Sequence, residues 1–389
     1  MAKYDAIDLR THLKLPTMHR VAISSTGLFT PPEVITNEEL VASFNQFVAL
    51  DNAKYAAEIA AGTRVALTES NVEFIEKASG IKRRYVMEKS GVLDPHRMRP
   101  LFAARPDTEI SLMAEIGVKA AQAALDAAGK TAADVDGVIC AAANMQRPYP
   151  AMAVEIQTAL GVQGYGFDMN VACSSATFGI EQAVNAVRTG SARAVLVISP
   201  EITSGHHAWM DRDCHFIFGD VCTAVLVERL DLAPPGSFEV LGAKLLSTFS
   251  NNIRNNNGFM SRAEDRNPED RDQLFRQEGR KVFKEVCPMA AEHITGHLAA
   301  LGMEPAQVRR FWLHQANLSM NQLISRKVLG RDASREEAPV ILDEFANTAS
   351  AGSIIAFHRH QADIQSGEVG VICSFGAGYS IGSVIVKRL

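Results

Sequence analysis

Short β-branched runs alternate along the chain with Ala-rich stretches whose apolar residues recur at helical spacing. The runs predict strands at VAISSTGLF (21–29), GVICAAA (137–143), AVLVISP (194–200), TAVLVERL (223–230), FWLHQ (311–315), VGVICSFG (369–376) and SVIVKRL (383–389). The helical spacing predicts helices over 111–128, 151–160, 174–189, 279–300 and 317–329. Such alternation implies an α/β protein with helices packed on sheets. There is also an internal echo: AVLVISPE is followed by FGDVCTAVLVERL, and VGVICSFG by YSIGSVIVKRL, each a strand–loop–strand closing half of the chain. A duplicated fold produces this, with a boundary near Pro234-Pro235-Gly236 and halves over 20–233 and 237–389.

Three segments stand outside that rhythm. Residues 1–19 have no apolar core of a secretory signal and are expected to be an exposed extension. Residues 41–73 read as an insertion, with AKYAAEIAAGTRVAL (53–67) able to form a helix. Residues 250–270 are polar and Asn-rich without a period, which predicts a solvated loop.

Composition narrows the class. In 389 residues, 47% are hydrophobic and 21% charged, as in an ordinary globular enzyme. A net charge of −5 supplies no basic field for nucleic acid. No apolar run is long enough to span a bilayer, so no membrane association is expected. Six scattered cysteines without CxxC or zinc spacing suggest a reducing, cytoplasmic setting. The His206-His207 pair and His358/His360 have no companion ligand at metal spacing and are assigned structural roles, with no metal site.

The candidate chemistry lies in three places. Cys173, in FDMNVACSSATFGIEQAVNAVRTG, follows a short strand (167–171) and opens a helix. Free N–H groups and the helix dipole there favour an anion, so a stabilised thiolate and a nucleophile are expected. Most free cysteines are simply buried; the small Ser174-Ser175-Ala176 run, which leaves room for a substrate, sets this one apart. His314 ends an apolar strand ahead of Gln315-Ala316-Asn317, a position that can face a cleft, although a lone histidine is more often structural. Asn347, in FANTASAGSIIAF, would by itself read as a helix cap. The Gly-rich run 373–383 has no following helix and is not a phosphate loop. Together the residue types fit one chemistry. A thiolate accepts an acyl group, and a histidine and an asparagine supply neutral donors to an enolate formed by decarboxylation.

With these segments in hand, the chain resembles the β-ketoacyl-acyl-carrier-protein synthase III family from about residue 20 onward. The pieces are DMNVACSSATFGIE, IFGD (217–220), HQAN (314–317), ANTASAGS and FGAG (375–378), in matching order and spacing. The resemblance implies a thiolase fold, five-layered αβαβα, of two similar halves, and a homodimer. It implies that an acyl-CoA primer loads Cys173, and that malonyl-acyl-carrier-protein then binds and is decarboxylated with His314 and Asn347 as donors. No cofactor is implied; acyl-CoA is a substrate. The N–H groups of Cys173 and Ala377 form the implied oxyanion hole, with Ala377 in place of a family glycine. Phe74 is similar to a family tryptophan that stacks on the CoA adenine, and Arg212 to a CoA-binding arginine; Ala78 stands where a further arginine would be. Ser319 replaces a carrier-docking arginine, which leaves Lys281, Lys284, Arg326 and Lys327 as cationic candidates for an acidic carrier.

Other acyl-condensing readings share parts of this pattern. A thiolase needs a second cysteine at the Gly-rich turn and a Gly-His-Pro, which is absent. A type III polyketide-like enzyme or a non-decarboxylating acyl-condensing synthase keeps the same triad, and a degenerate partner subunit would have lost part of it. The segment ITNEELVASFNQFVALDN with its insertion is similar to a divergent subgroup accepting medium-chain primers, around octanoyl, and forming β-ketodecanoyl products. The insertion adds apolar sequence next to Phe74, where it would lengthen or cover the acyl channel. Tyr149, in NMQRPYP (144–150), occupies the place of a family phenylalanine that closes the partner's channel.

Overall fold

The computed structural model describes residues 18–389. All but the end of the extension expected at 1–19 lies outside the described residues. The strands are β1 (Val21–Phe29), β2 (Glu33–Thr36), β3 (Arg83–Val86), β4 (Gly137–Ala141), β5 (Tyr165–Met169), β6 (Ala194–Glu201), β7 (Val221–Arg229), β8 (Phe238–Ser250), β9 (Ile253–Arg254), β10 (Arg276–Gln277), β11 (Val308–Leu313), β12 (Val369–Gly376) and β13 (Gly378–Arg388). The helices are α1 (Asn37–Lys54), α2 (Ala56–Ala60), α3 (Val72–Ser79), α4 (Leu112–Ala128), α5 (Met152–Leu160), α6 (Ser175–Arg188), α7 (Gly279–Ala300), α8 (Leu318–Leu329), α9 (Leu342–Phe345) and α10 (Gly352–Arg359).

The sheet order is β11-β12-β13-β8-β1-β7-β6-β4-β5. Its middle is thin: β1 and β8 share only the pairs Ala22↔Glu239 and Ile23↔Phe238. On either side the pattern repeats. β4 runs parallel to β6, which is antiparallel to β7, and β7 to β1. β11 runs parallel to β12, which is antiparallel to β13, and β13 to β8. The echo in the sequence is thus a duplicated sheet, with β5 added at the edge of the first copy.

Helices α6 and α10 each touch both sheets and form the middle layer, with α4 and α5 outside the first sheet and α7 and α8 outside the second. The five layers αβαβα follow, and the helices of the middle layer have the sequences for it. Ala176, Ile180, Ala183, Val184 and Val187 of α6 and Ile354, Ile355, Ala356 and Phe357 of α10 join one core with Val197, Ile372 and Trp312. Only small residues fit where layers close up: a Cβ on Gly382 would lie 2.3 Å from Thr177 Oγ1 of α6.

Two sequence expectations change. The stretch 37–54 is one helix, capped by a Thr36/Glu39 capping box, with Leu40, Phe44 and Val48 buried at successive turns. In contrast, only Ala56–Ala60 of the expected 53–67 helix forms, before the left-handed Gly62. The thirteen-residue β8 has no sequence prediction behind it, because its outer half is exposed and carries no clean alternation.

A buried histidine group lies under α1. His206 and His215 are pushed down to about 4 by burial, and His207 further. His215 stacks on Phe44 at 4.4 Å, and His207 packs edge-on against Trp209 at 4.6 Å. The unfolded chain therefore takes up protons near 6.5 that the folded chain refuses. Stability is full above that pH and is lost as pH falls toward 4. Five more histidines shift the same way, whereas burial raises Glu201 and Asp220 and makes them act oppositely. The urea-unfolding free energy should fall between pH 7 and pH 5, each of the three buried rings contributing about 2 kcal/mol over that span. A free energy constant over the range would contradict this.

Candidate active site

Cys173 sits in a single 3-10 turn, Ala172–Ser174, between β5 and α6. The turn is held from both ends. Ser175 Oγ donates to Ala172 O (2.8 Å) and accepts from Val171 N–H (2.8 Å), and Ser174 Oγ donates to Ser380 O in the other half (3.0 Å). Ala172 lies at φ 47°, a left-handed conformation costing roughly 1–3 kcal/mol that the surroundings must enforce. Gly376, at the end of β12, backs directly onto Cys173: a Cβ there would lie 2.6 Å from Cys173 Cβ and 3.2 Å from its Sγ.

His314 follows β11, with its N–H donating to Cys373 O (2.8 Å) and its ring edge-on to Phe375 at 5.2 Å. The rest of HQAN is scaffolding. Gln315 Nε2 donates to Leu313 O (2.9 Å) and its Oε1 accepts from Ile341 N–H (3.1 Å). Asn317 caps α8 through Ser319 N–H (2.9 Å) and donates to Ala78 O (2.6 Å). IFGD has a parallel role for Asn347. Asn347 N–H donates to Ile217 O (2.9 Å) and Gly219 N–H donates back to Asn347 O (3.1 Å). The side-chain Oδ1 accepts from Ala349 N–H (2.9 Å), so the Nδ2 donor end is free. Ala346 and Ala349 beside it have φ 58° and 48°. All three candidate residues therefore sit on strained or tightly tied backbone.

Cys173, His314 and Asn347 line one cavity of about 1020 Å³. Phe74, Phe216, Phe218, Phe375 and Gly376 form its walls, and Arg276 and Arg280 stand at the exposed end. Of the six cysteines, Cys173 is the one that is not fully buried.

The electrostatics correct one expectation. Burial pushes the Cys173 thiol up to about 12, helped by the Glu201 carboxyl; hydrogen bonds from the backbone N–H of Ala377 and of Cys173 itself pull in the other direction but are outweighed. Cys173 thus rests as a thiol, because a short helix start at the bottom of an enclosed site does not outweigh desolvation. Both amides nonetheless lie near enough to the sulfur to stabilise negative charge there. Ala377 is not among the residues with positive φ, which is the condition for alanine to replace glycine there. Burial holds His314 down at about 3, a neutral ring whose Nδ1 has no partner.

Glu201, at the end of β6, escaped the sequence reading. Its Oε1 accepts from Ala143 N–H (2.9 Å), Ser350 N–H (3.2 Å) and Ser350 Oγ. Burial raises it to about 8, so it is protonated at neutral pH. A lone glutamate ending an apolar strand was the available signal. Arg276 and Arg280 were missed because single arginines at loop ends carry no pattern.

The remaining candidates are dispersed. Arg212 lies over the Phe74 ring at 4.0 Å, and Phe74 lies edge-on to Phe216 at 5.7 Å. Tyr149 is 80% exposed and does not line the Cys173 cavity of its own chain. No residue from 41–73 lines the Cys173 cavity: the helical part of the insertion stands behind its wall, with Phe44 on His215 next to Phe216. A channel lengthened directly by this segment is therefore not what the fold builds. Lys281 and Lys284 are exposed on α7, and Arg326 and Lys327 on α8; Arg326 is paired to Asp332 at 2.5 Å. His358 Nδ1 pairs with Thr26 Oγ1 (2.8 Å), and the His360 carbonyl accepts from Trp312 Nε1 (2.9 Å).

Comparison with known proteins places this geometry. Residues 167–247 match the model of 3-oxoacyl-[acyl-carrier-protein] synthase III, and residues 298–388 match the model of its C-terminal region. A β-ketodecanoyl-[acyl-carrier-protein] synthase of Pseudomonas aeruginosa is 61% identical over 347 residues, covering 89% of this chain and 99% of the relative. A β-ketoacyl-[acyl-carrier-protein] synthase III of Bartonella tribocorum is 29% identical, over 82% of this chain and 91% of that one. The crystal structure of 3-oxoacyl-[acyl-carrier-protein] synthase III from Aquifex aeolicus superposes with a TM-score of 0.73 at 23% identity, covering 94% of this chain and 99% of that one.

The buried thiol sets a pH test. Thiolate is the alkylated form, so labelling of Cys173 by iodoacetamide in ligand-free protein should accelerate through pH 10 without levelling. A plateau at or below pH 8 would mean a resting thiolate and refute the burial argument.

Proposed function

The chain belongs to the β-ketoacyl-[acyl-carrier-protein] synthase III family, and on that premise we propose that it joins a medium-chain acyl-CoA primer, around octanoyl, to malonyl-acyl-carrier-protein in fatty-acid biosynthesis. It is an acyl-condensing transferase. The observation that carries the mechanism is the convergence of Cys173, His314 and Asn347 on one cavity; Cys214 also borders it but is buried, whereas Cys173 is not fully buried.

In the first half-reaction the Cys173 sulfur attacks the thioester carbonyl, losing its proton as it attacks. The oxyanion meets the N–H groups of Cys173 and Ala377, and the bond to the CoA sulfur breaks, releasing CoA as its thiol. In the second, the malonyl group loses CO2 and the electron pair moves into an enolate. Neutral His314 and the Asn347 Nδ2 donate to its oxygen without holding back the departing carboxylate as a cation would. The enolate carbon attacks the acyl carbon, and the Cys173 sulfur leaves as a thiolate and takes up a proton from solvent. Every group in this sequence comes from the chain or its substrates, so no cofactor is invoked.

The primer length rests on the relative named a β-ketodecanoyl synthase. Its product is an octanoyl group extended by the two carbons that malonate retains. Phe74 and Arg212 would take the CoA nucleotide, and Lys281, Lys284, Arg326 and Lys327 an acidic carrier. Support for a homodimer comes from β5, an edge strand with Tyr165 (37%) and Phe167 (40%) exposed and stacked at 6.4 Å. A second copy paired there brings the exposed Tyr149 to the partner's acyl channel. Among the described residues no helix is long and apolar enough to cross a membrane. The six free cysteines support a reducing, cytoplasmic setting.

Cys173→Ala should abolish acyl transfer from acyl-CoA, read as the mass shift of the protein, with an unchanged circular dichroism spectrum. Acyl label on Cys214 or Cys222 would overturn the assignment. His314→Ala and Asn347→Ala should still acylate but lose malonyl decarboxylation; a variant that decarboxylates normally yet fails to acylate would reverse the roles.

Primer choice is read from specificity constants for acetyl-, butyryl-, octanoyl- and dodecanoyl-CoA with malonyl carrier protein. Each buried methylene contributes about 0.8 kcal/mol, so octanoyl should exceed acetyl by orders of magnitude. A preference for acetyl-CoA would reject the medium-chain reading and leave the enzyme class standing.

A further inference from the structure

The segment between α2 and α3 does no catalysis and forms no regular element, yet it is fixed at both ends by paired side-chain bonds. Asn45 and Asn52 stand on α1 seven residues, about two turns, apart, and so share one face. Asn45 Nδ2 donates to Ser70 O (3.0 Å) while its Oδ1 accepts from Ser70 N–H (2.8 Å). Asn52 does the same with Leu67: Nδ2 to Leu67 O (3.0 Å), and Leu67 N–H to Oδ1 (2.8 Å). Each carboxamide imitates a strand's peptide group and lashes residues 67–70 to the helix. A third tie lies just ahead, where Arg64 pairs with Asp51 (2.9 Å) and lies over Tyr55 (3.5 Å).

What the segment holds is the Glu69 carbonyl, which lies between the two lashed residues and accepts from Arg212 Nε (2.7 Å). That bond sets the guanidinium on the Phe74 ring, 4.0 Å from its centroid. Phe74 itself is fixed by the N-cap at Asn71, whose Oδ1 accepts from Phe74 N–H (2.7 Å). The adjacent face of α1 presses Phe44 on His215, whose Nδ1 contacts the Arg212 carbonyl (2.9 Å). One helix thus fixes Arg212 at its side chain and through its backbone. The two terminal Nη groups form no hydrogen bond with the described residues and are left for an anionic ligand.

We infer that residues 67–70, lashed to α1 by Asn45 and Asn52, are a strap that pre-orders Arg212 for the phosphorylated nucleotide end of the acyl-CoA donor. This rests on the reading above that acyl-CoA is the donor and that Arg212 meets its nucleotide. Fixing an arginine before binding removes the cost of ordering it afterwards, and its planar fork suits phosphate. Asn45 and Asn52 are positioning residues: they touch no substrate and act through the Glu69 carbonyl.

The test compares octanoyl-CoA with octanoyl-pantetheine, which has the thioester arm but no nucleotide. Asn45→Ala/Asn52→Ala should raise KM for octanoyl-CoA about three- to tenfold, with kcat and the KM for octanoyl-pantetheine unchanged. The single variants, each keeping one lashing, should shift KM the same way by less, which keeps the test open if the double variant folds poorly. On an Arg212→Ala background the asparagine changes should have no further effect. An equal rise in KM for both donors, or an effect that persists without Arg212, would overturn the strap. If Arg212→Ala leaves the octanoyl-CoA KM unchanged, the nucleotide assignment fails instead; if neither donor acylates Cys173, the proposed function fails.

Discussion

The constraint on which the site depends is the approach of the β12–β13 turn to Cys173. Gly376 lies so near that one added carbon would fall 2.6 Å from Cys173 Cβ. That approach is possible because two copies of the same sheet pattern face each other across α6 and α10, and because the residues between them are small. It places an amide from the second half, Ala377 N–H, beside the Cys173 sulfur of the first. The other members of the site are also held across the seam. Ser174 of the cysteine turn bonds to Ser380, Asn347 is held between Ile217 and Gly219, and Ser350 is tied to Glu201. Neither half alone contains a reaction centre.

Electrostatically the centre is kept neutral. The cysteine rests as a thiol, the histidine as an uncharged ring, and the buried glutamate in its protonated form at neutral pH. Desolvation is the first cause of all three shifts, which follows from putting the site between packed layers. A neutral, enclosed site suits a reaction in which a carboxylate must give up CO2 and leave its electrons on an enolate. A fixed cation would hold the carboxylate, and a fixed anion would repel the enolate. Oriented N–H donors stabilise the charge where it appears. The same burial that serves the chemistry makes the fold sensitive to acid, because buried rings cannot accept protons without leaving their packing.

The sequence determined the elements and their order. Most of the runs read as strands or helices are strands or helices with nearly the same bounds, because layered burial leaves a strong periodic signal. It also determined the candidate trio, since a cysteine opening a helix, HQAN and the Asn-Thr-small segment each have local requirements that can be read in a line of residues. The failures were local too. β8 was invisible because half of it faces solvent, and α1 was read as an insertion although its Leu40, Phe44 and Val48 repeat is helical.

Only the tertiary structure decided what the residues experience. The thiol pKa is set by how much protein surrounds Cys173 and by Glu201, some thirty residues away in sequence, so a helix-dipole argument from neighbouring residues gave the wrong sign. The insertion near Phe74 was expected to lengthen or cover the channel, but its helical part stands behind the wall, because α1 buries its apolar face on His215 and leaves its asparagines to bind a backbone segment. Tyr149 was placed by its sequence neighbours, and on its own chain it is 80% exposed. Periodicity records which face of an element is buried. Burial depth, charge neighbours and the meeting of two halves depend on distances between residues far apart in the chain, and those are fixed only when the sheets pack.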